Sequence, residues 1–510
     1  LVTTHLNCET LMHFYRPLIY LLGAGALSAC AVGPDYHRPQ AGLPAHFMAE
    51  SAFPAGPGAR TSDLTAWWSG FDDPLLTRYV DTALAQNLDL SQALARVSEA
   101  RAAFGATNAA LLPSADVSGS AARAYQAIDT PLGQLLNARP GYDRWGNEYE
   151  SDLSASWEID ISGGLRRDRE AALADYKASE AGAVATRLTV AAQTADIYIG
   201  IRGLQTRLDI ANQQVGKQQD LLALLELMYG KGVVPDYQVR QAEGTLAQTQ
   251  AEVSVLRARL DAAMNALDVM LGTPPGTHRA ELETASPIPR TPSIAVMGTP
   301  ADLLQRRPDL IAAERCLAAS NARIGSAISE YYPKLSLSAL LGSATALSSG
   351  SLFSSGANQR ATVLGLRWRL FDFGRINAEI DNARGQQAEA LAAYRQAALR
   401  ATEDVEDAFS ALFNSEAQAT TLLNGESSLS EARDSQLAAY QRGVASRIDV
   451  LRADEALLQI SDARAQAQSE SARAAVATYK ALGGGWNPQS LDSALSRSVS
   501  DSSAASVVER

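Results

Sequence analysis

The sequence is poor in the residues that site chemistry and covalent cross-linking need. Its 510 residues hold three cysteines and five histidines. Cys8, Cys30 and Cys316 are spaced for neither a disulfide framework nor a metal site. After Cys30 only His37, His46 and His278 remain, each in an extended or linker segment, with no pair at metal or acid–base spacing. No phosphate-binding glycine loop followed by lysine occurs, and no strand-turn-helix nucleophile elbow. The chain is therefore read as no enzyme, with no catalytic residue, no metal site and no cofactor. A net charge of −12 lacks the basic surface that phosphate neutralisation needs, so nucleic acid is not an expected partner. Beyond the leader no apolar run is long enough to span a membrane as a helix. Aromatics make up only 6% while hydrophobic residues reach 46% with abundant alanine, which favours long helices over a bulky core.

What the chain does have is an internal repeat. Trp157, Tyr229 and Leu271-Gly272 recur 211 positions later as Trp368, Tyr440 and Leu482-Gly483. Upstream the offset is 220, where Asp89, Gly105, Pro113 and Ser118 meet Asp309, Gly325, Pro333 and Ser338. The first copy thus carries about nine extra residues between Gly119 and Trp157. A period this long makes each copy a supersecondary unit completed by its twin.

The stretch from Met12 to Cys30 has a basic residue at Arg16, an apolar run and a small-residue end, as a secretory signal has. Met12 is read as the start, with residues 1–11 as an overextended frame. Leu27-Ser28-Ala29-Cys30 resembles a bacterial lipobox, which implies an acylated Cys30, and Ala31 rather than aspartate after it points to the outer membrane. The plainer alternative is an ordinary signal with an incidental cysteine.

Four segments alternate at period two. In Ser151–Ile161, Leu153, Ala155, Trp157, Ile159 and Ile161 interleave with Asp152, Ser154, Ser156, Glu158 and Asp160. Ser114–Ala122, Leu335–Leu341 and Thr362–Leu370 follow the same scheme, the last with Leu364, Leu366, Trp368 and Leu370 on one face. Such strands suit an outer-membrane barrel. Four of them cannot close around a lumen, and open edges in lipid cost several kcal/mol per group, so strands must be pooled between chains. Two half-buried hairpins on a soluble protein are the alternative.

Each hairpin precedes a long proline-free helical pattern, Gly164–Tyr229 and Gly374–Tyr440, each reaching roughly 100 Å at about 1.5 Å per residue. From Ile201 to Tyr229, steps of three and four through Leu204, Leu208, Ala211, Val215, Gln218, Leu222 and Leu225 make a coiled-coil seam. Both patterns break at matching glycines, Gly232 and Gly443, and return on a second helix ending at Gly272 or Gly483. Shorter helices, Leu75–Asn108 and Ala301–Glu330, precede the strands. Arg306 and Arg307, just before Pro308 at a helix start, are read as structural, with local acidic partners, rather than as an anion site. Cys316 is expected as a small packed helix residue.

Specific runs now carry a family resemblance: Ala31-Val-Gly-Pro-Asp-Tyr-His-Arg-Pro39, Trp67-Trp68 with Phe71 and Asp73-Pro74-Leu75, Arg306-Arg307-Pro308-Asp309, Trp157-Glu-Ile-Asp160 with Gly163-Gly164, Phe371-Asp372-Phe373-Gly374-Arg375 and Tyr440-x-x-Gly443. Together they span residues 30 to 485 and resemble the TolC/NodT-type outer-membrane efflux lipoproteins. The resemblance implies a mainly α fold with a small membrane β-barrel: a tandem-repeat protomer of long coiled-coil helices plus four strands. It would trimerise to a twelve-stranded outer-membrane barrel and a periplasmic α-helical tunnel. It also implies a homotrimer in outer-membrane lipid, anchored through Cys30, that docks with a periplasmic adaptor and an inner-membrane transporter of the resistance-nodulation-division class to pass drugs or other small molecules outward.

In that family the periplasmic tip closes like an iris through side chains around the glycine turns. The resemblance carries this role to Tyr229 and Asp236 in the first copy and to Tyr440, Asp449 and Arg452 in the second, with Gly232 and Gly443 as the helix-tip turns. Three carboxylates around a threefold axis favour cations or raised pKa values, and Asp449 suits that place. Where the family often has a second acid one turn later this chain has Arg452, which pairs with Asp449 or leaves Asp454 to face the lumen. The expected organisation is a leader and signal peptide (1–29), an extended lipid-anchored segment (30–65), a first repeat (66–272), a proline-rich crossover (273–300), a second repeat (301–485) and a disordered tail (486–510). The competing functional reading is a lipid-anchored structural coiled-coil tether without a pore. A passive porin is disfavoured, since it has no use for such helices.

Overall fold

The computed structural model describes residues 31–40, 42–48, 64–292, 294 and 299–487. The leader, Cys30 and nearly all of the expected tail lie outside the described residues. After a 3-10 segment at Leu64–Phe71 the chain forms α1 (Pro74–Gln86), α2 (Leu88–Ala109), β1 (Ser114–Tyr125), α3 (Pro131–Asn137), β2 (Trp145–Ile159), α4 (Gly164–Gly230) and α5 (Asp236–Met270). A connector bearing the single turn α6 (Arg279–Leu282) leads to α7 (Pro300–Arg306), α8 (Pro308–Ser329), β3 (Lys334–Thr345), β4 (Asn358–Arg367), α9 (Arg375–Gln441) and α10 (Arg447–Ala481). The repeat is met in length: α4 and α9 are 67 residues each, α5 and α10 are 35 each.

Two compact units divide these elements. One holds Glu99–Lys177 and Arg315–Ala392 with the segment before Pro39, and so contains all four strands. They form one antiparallel sheet in the order β1-β2-β3-β4. Ser114 stands opposite Ser156 in the first hairpin and Lys334 opposite Arg367 in the second, the same positions under the two offsets. The extra residues of the first copy therefore fall wholly in the β1–β2 loop, where α3 sits, and leave the pairing untouched.

The strands differ from their sequence boundaries. β1 and β3 run farther than the alternation indicated, and β2 starts earlier, at Trp145, but stops at Ile159, short of Ile161; ladder pairing continues through residues such as Arg123, Asn147 and Thr345 that carry no pattern. β4 likewise starts earlier, at Asn358, and stops at Arg367, short of Leu370.

The other unit holds Gln40–Ser98, Ala178–Glu314 and the chain from Ala393 on. Its main core gathers Trp67, Trp68, Phe71, Leu76, Tyr198, Ile199, Leu267 and Leu271. Trp67 stacks on Tyr479 with ring centroids 5.3 Å apart and takes Trp68 edge-on at 5.6 Å. Along the long helices the contact residues are mostly alanine, including Ala195, Ala398, Ala401, Ala472 and Ala475, all fully buried. Small side chains let helices approach closely, which accounts for a core with few aromatics. Of the expected seam, Ile201, Ala211, Gln218 and Leu225 are buried, and Tyr229 at its end is exposed.

Each short helix expected before the strands is in fact two. α1 and α2 part at Asn87, α7 and α8 at Arg307, positions equivalent under the 220 offset. Asn87 caps α2 by accepting from the Asp89 and Leu90 amides and donates to the Met270 carbonyl at 2.9 Å. Arg307 donates to the equivalent Ala481 carbonyl at 3.5 Å, grips Asp309 through two bonds of 3.0 and 2.7 Å, and reaches Asp404 at 2.9 Å. The Arg-Arg-Pro-Asp run is thus a helix junction whose second arginine is fully engaged, and its cation sits where the C-terminal end of α10 favours it. Cys316 on α8 is exposed in the single chain rather than packed.

Gly272 and Gly483 end α5 and α10 at φ of +73° and +71°, and a Cβ there would fall 2.7 Å from the Gln86 carbonyl oxygen and 3.0 Å from that of Arg306. Gly272→Ala and Gly483→Ala should each cost about 1–2 kcal/mol for the left-handed conformation alone. Gly216→Ala, mid-helix with open space around it, should gain up to about 1 kcal/mol. Thermal melts of the helical circular-dichroism signal in detergent check the opposite signs.

Candidate functional site

The sheet of the first unit has two unlike faces. On one, Ile159, Leu335 and Leu366 lie in a row, followed by Trp157, Leu337 and Leu364 and then by Val117, Leu153 and Leu341. The band thins beyond Leu153, where Gly119, Ser151, Ser343 and Asn358 share that face. Tyr125 and Trp145 close its far end with rings 5.0 Å apart. At the near end Trp157 donates its indole N–H to the Leu111 carbonyl at 3.0 Å, and Trp368 does the same to Tyr331 at 3.0 Å, again at equivalent positions.

The other face is polar, with Ser114, Asp116, Ser118, Ser154, Ser156 and Glu158. Asp152 accepts from Gln359 Nε2 at 2.8 Å, and the same amide donates to Glu150 at 3.1 Å. Gly342 lies across the ladder from Asp152, and a Cβ there would fall 1.8 Å from the carboxylate, so glycine makes the space the acid occupies.

In the second unit the two helix-tip turns share one geometry. Gly232 and Gly443 both have φ of +76°. Val233 donates to the Met228 carbonyl at 2.9 Å and Val444 to Ala439 at 3.0 Å, which closes both turns in the same C-cap motif. The starts of the returning helices differ. Pro235 precedes α5 with no side-chain cap. Ser446 precedes α10 in a reciprocal capping box, its hydroxyl accepting from the Asp449 amide at 3.2 Å while Asp449 accepts from the Ser446 amide at 3.0 Å.

Each sequence-derived tip residue can now be placed. Tyr229 and Tyr440 are both exposed, and the Arg447 guanidinium lies 5.8 Å from the Tyr440 ring centroid. Asp236 opens α5 and faces Arg240 at 3.5 Å. Asp449 is exposed, and its carboxyl is held below the usual 3.8, first by the Ser446 hydroxyl, then by the Ser446 backbone amide, with Arg452 adding a favourable charge. No Asp449–Arg452 ion pair forms, because the capping box takes the carboxylate. Asp454 does not stand free either: it meets Lys217 at 3.1 Å and Arg433 at 3.9 Å.

Sequence reasoning missed the ion pairs that join the two repeats. Asp196 grips Arg473 through bonds of 2.7 and 2.9 Å, Arg207 grips Asp462 through 2.8 and 3.0 Å, and Lys217 meets Asp454. All three run between α4 and α10 at steps of about two to three helical turns. Partly exposed pairs of this kind contribute up to about 1 kcal/mol each, so they fix alignment more than stability. Near the tip, Ile448 rests on the small core of Leu225, Val239 and Ala242. No group of three or more His, Cys, Asp or Glu among the described residues is placed to hold a metal ion.

Long paired helices and a two-faced antiparallel sheet are the architecture of a membrane channel protein. The model for the outer membrane efflux protein family matches residues 79–273 and 299–484, and the chain belongs to that family. Nodulation protein T of Rhizobium leguminosarum bv. trifolii is 30% identical over 475 residues, covering 91% of this chain and 96% of its own. Outer membrane protein OprJ of Pseudomonas aeruginosa is 30% identical over 475 residues, covering 92% and 95%. The solved structure of the outer-membrane channel OprN superposes with a TM-score of 0.78 at 31% identity, covering 90% of this chain and all of that one. The protein is an outer-membrane efflux channel, of a family of channels and not of enzymes.

Ser446→Ala should cost about 1 kcal/mol at neutral pH by removing the cap. Because the folded Asp449 pKa is depressed, its contribution is present above the ordinary carboxylate value and is lost as pH falls through the folded one. Acid should therefore loosen the first turn of α10, where the carboxylate closes the capping box, more than that of α5, which has no side-chain cap. Amide exchange over residues 447–452 against 236–241, corrected for intrinsic rates, gives the comparison.

Proposed function

We propose that three copies of the chain pool their strands into a twelve-stranded barrel and their helices into a periplasmic conduit. The observation that carries this is the pair of unpartnered edges, β1 and β4, in a sheet with one apolar face. In lipid those backbone groups need partners, and only another copy offers matching ones. Two copies would give eight strands, whose interior side chains fill, whereas twelve leave a lumen for cargo. The span fits a bilayer: from Trp145 to Trp157, β2 advances about 40 Å at ~3.3 Å per residue, or about 30 Å of height at a tilt near ~40°.

Cys30 carries the covalent lipid in this reading, and no other cofactor is involved. The Val32 amide donates to the Ser162 carbonyl at 3.0 Å, which holds the segment just after Cys30 beside the end of β2. The helix tips meet a periplasmic adaptor, which couples the channel to an inner-membrane transporter of the resistance-nodulation-division class. Cargo is drugs or other small molecules, and the chain conducts rather than catalyses. Tyr229, Asp236, Tyr440, Asp449 and Arg452 line the periplasmic gate, with Gly232 and Gly443 turning the chain at its rim.

The rival reading, a lipid-anchored tether, predicts no pore and no pooling of strands. Light scattering of the detergent-extracted protein, corrected for bound detergent, should give three chains per particle; a monomer would end the barrel reading. In planar bilayers the protein should conduct with cation preference, and Asp449→Ala should change conductance and weaken that preference. Unchanged values in the variant would remove Asp449 from the gate.

A further inference from the structure

We infer that Arg123 and Arg144, each laid on an aromatic ring at the outer end of the first hairpin, seat the phosphate groups of an anionic lipid in the outer leaflet. The inference rests on the barrel reading above, which turns the apolar face of the sheet to lipid, and adds a ligand which that reading does not supply. Arg123 stands on β1 opposite Asn147, on the same face as Val117, Leu153 and Trp145. Its guanidinium carbon lies 5.1 Å from the centre of the Trp145 ring, and that of Arg144 lies 4.1 Å from the Tyr125 ring. The two rings are 5.0 Å apart, so cations and rings form one cluster. A guanidinium lying on a ring keeps its N–H edge free, and that planar fork suits a phosphate.

Three observations point to a lipid phosphate. Among the described residues no carboxylate pairs with either guanidinium; Arg144 donates only through Nε, to the Gln126 carbonyl at 3.1 Å. The acids of the outer half of β2, Glu148, Glu150 and Asp152, all lie on the polar face, so charge is sorted by side and the lipid side is left cationic. Height agrees as well. An arginine facing lipid costs about 2–4 kcal/mol at the bilayer midplane and about 0–1 near its edge. Trp145 stands ~30 Å above Trp157 at ~3.3 Å per residue and a tilt near ~40°, which is about the thickness of the hydrocarbon layer. Arg123, two residues inward and turned toward the Trp145 ring, therefore delivers its charge among the outer head groups, while Ala121, Tyr149 and Leu153 continue its face toward the midplane, where acyl chains run. The third observation is that the second hairpin does without the cluster. Ser343, Thr345, Ser355 and Gly356 hold the corresponding places under the two offsets, so strand pairing does not require arginines and rings there.

Equilibrium binding of lipid A, a diphosphorylated glycolipid, to the full-length protein in detergent tests the seat. Lipid A should bind several-fold more tightly than its monophosphoryl form and more tightly still than zwitterionic phosphatidylethanolamine. Arg123→Gln with Arg144→Gln, which keeps side-chain length and removes charge, should weaken lipid A binding about tenfold or more. Arg367→Gln, on the polar face at the other end of the sheet, should leave it unchanged. Undiminished affinity of the double variant in a particle that scatters as a trimer overturns the seat and leaves the barrel standing. A wild-type particle that scatters as a monomer removes the barrel reading itself. Equal affinity of the wild-type trimer for lipid A and phosphatidylethanolamine overturns the inference without recourse to any variant. Inorganic phosphate, matched to lipid A in phosphate concentration, should not displace it; displacement would mark a site for free anions and refute the lipid.

Discussion

An antiparallel ladder ends wherever its strands run out, and each end leaves a row of amides and carbonyls that water or another strand must satisfy. In this protein the rows lie on β1 and β4, beside an apolar face built from Leu153, Trp157, Leu337, Leu341, Leu364 and Leu366. Lipid cannot hydrogen-bond them, at a cost of several kcal/mol per group. The rest of the architecture answers this requirement. Hairpins of identical register make the missing partner another copy of the same surface, and the indole clasps from Trp157 to Leu111 and from Trp368 to Tyr331 hold each hairpin to the helix that enters it.

The helical unit solves a different problem, how to end long helices without leaving their last carbonyls bare. Both repeats do it by breaking the short helix that passes the end of α5 or α10. Asn87 uses its amide to reach Met270, and Arg307 uses its guanidinium to reach Ala481. The glycines at the two crossings let the chains touch backbone to backbone. Two side chains of different chemistry at one position show that the site demands a donor, not a particular residue. The arginine needs Asp309 and Asp404 to offset its charge, whereas the asparagine needs no counterion.

How much of this could be read beforehand depended on the range of the interaction. The repeat, the four alternating segments and the glycine turns were visible because period and turn chemistry are local. Pro308 marks the break at Arg307 locally. The break at Asn87 was not legible, since helical periodicity continues across it and its carbonyl partner lies 183 residues away. The same holds for Asp196, Arg207 and Lys217, whose partners sit on α10. At the tip, the Ser446–Asp449 spacing is itself a capping-box signature, legible without the fold. The end of β4 also departs from its pattern, since the alternation runs on to Leu370 while the ladder ends at Arg367.

Pro235 and Ser446 occupy one position in the two repeats, and only the second offers a side-chain cap. Had the repeats stayed identical, six equal tips would surround the axis of a three-chain ring. Fusion of two hairpins into one chain breaks that sixfold equivalence and leaves alternating tips, three with a fixed proline start and three closed by a serine capping box. Anything that meets the tips thus finds two kinds of seat, one with a rigid proline start and one closed by a hydroxyl.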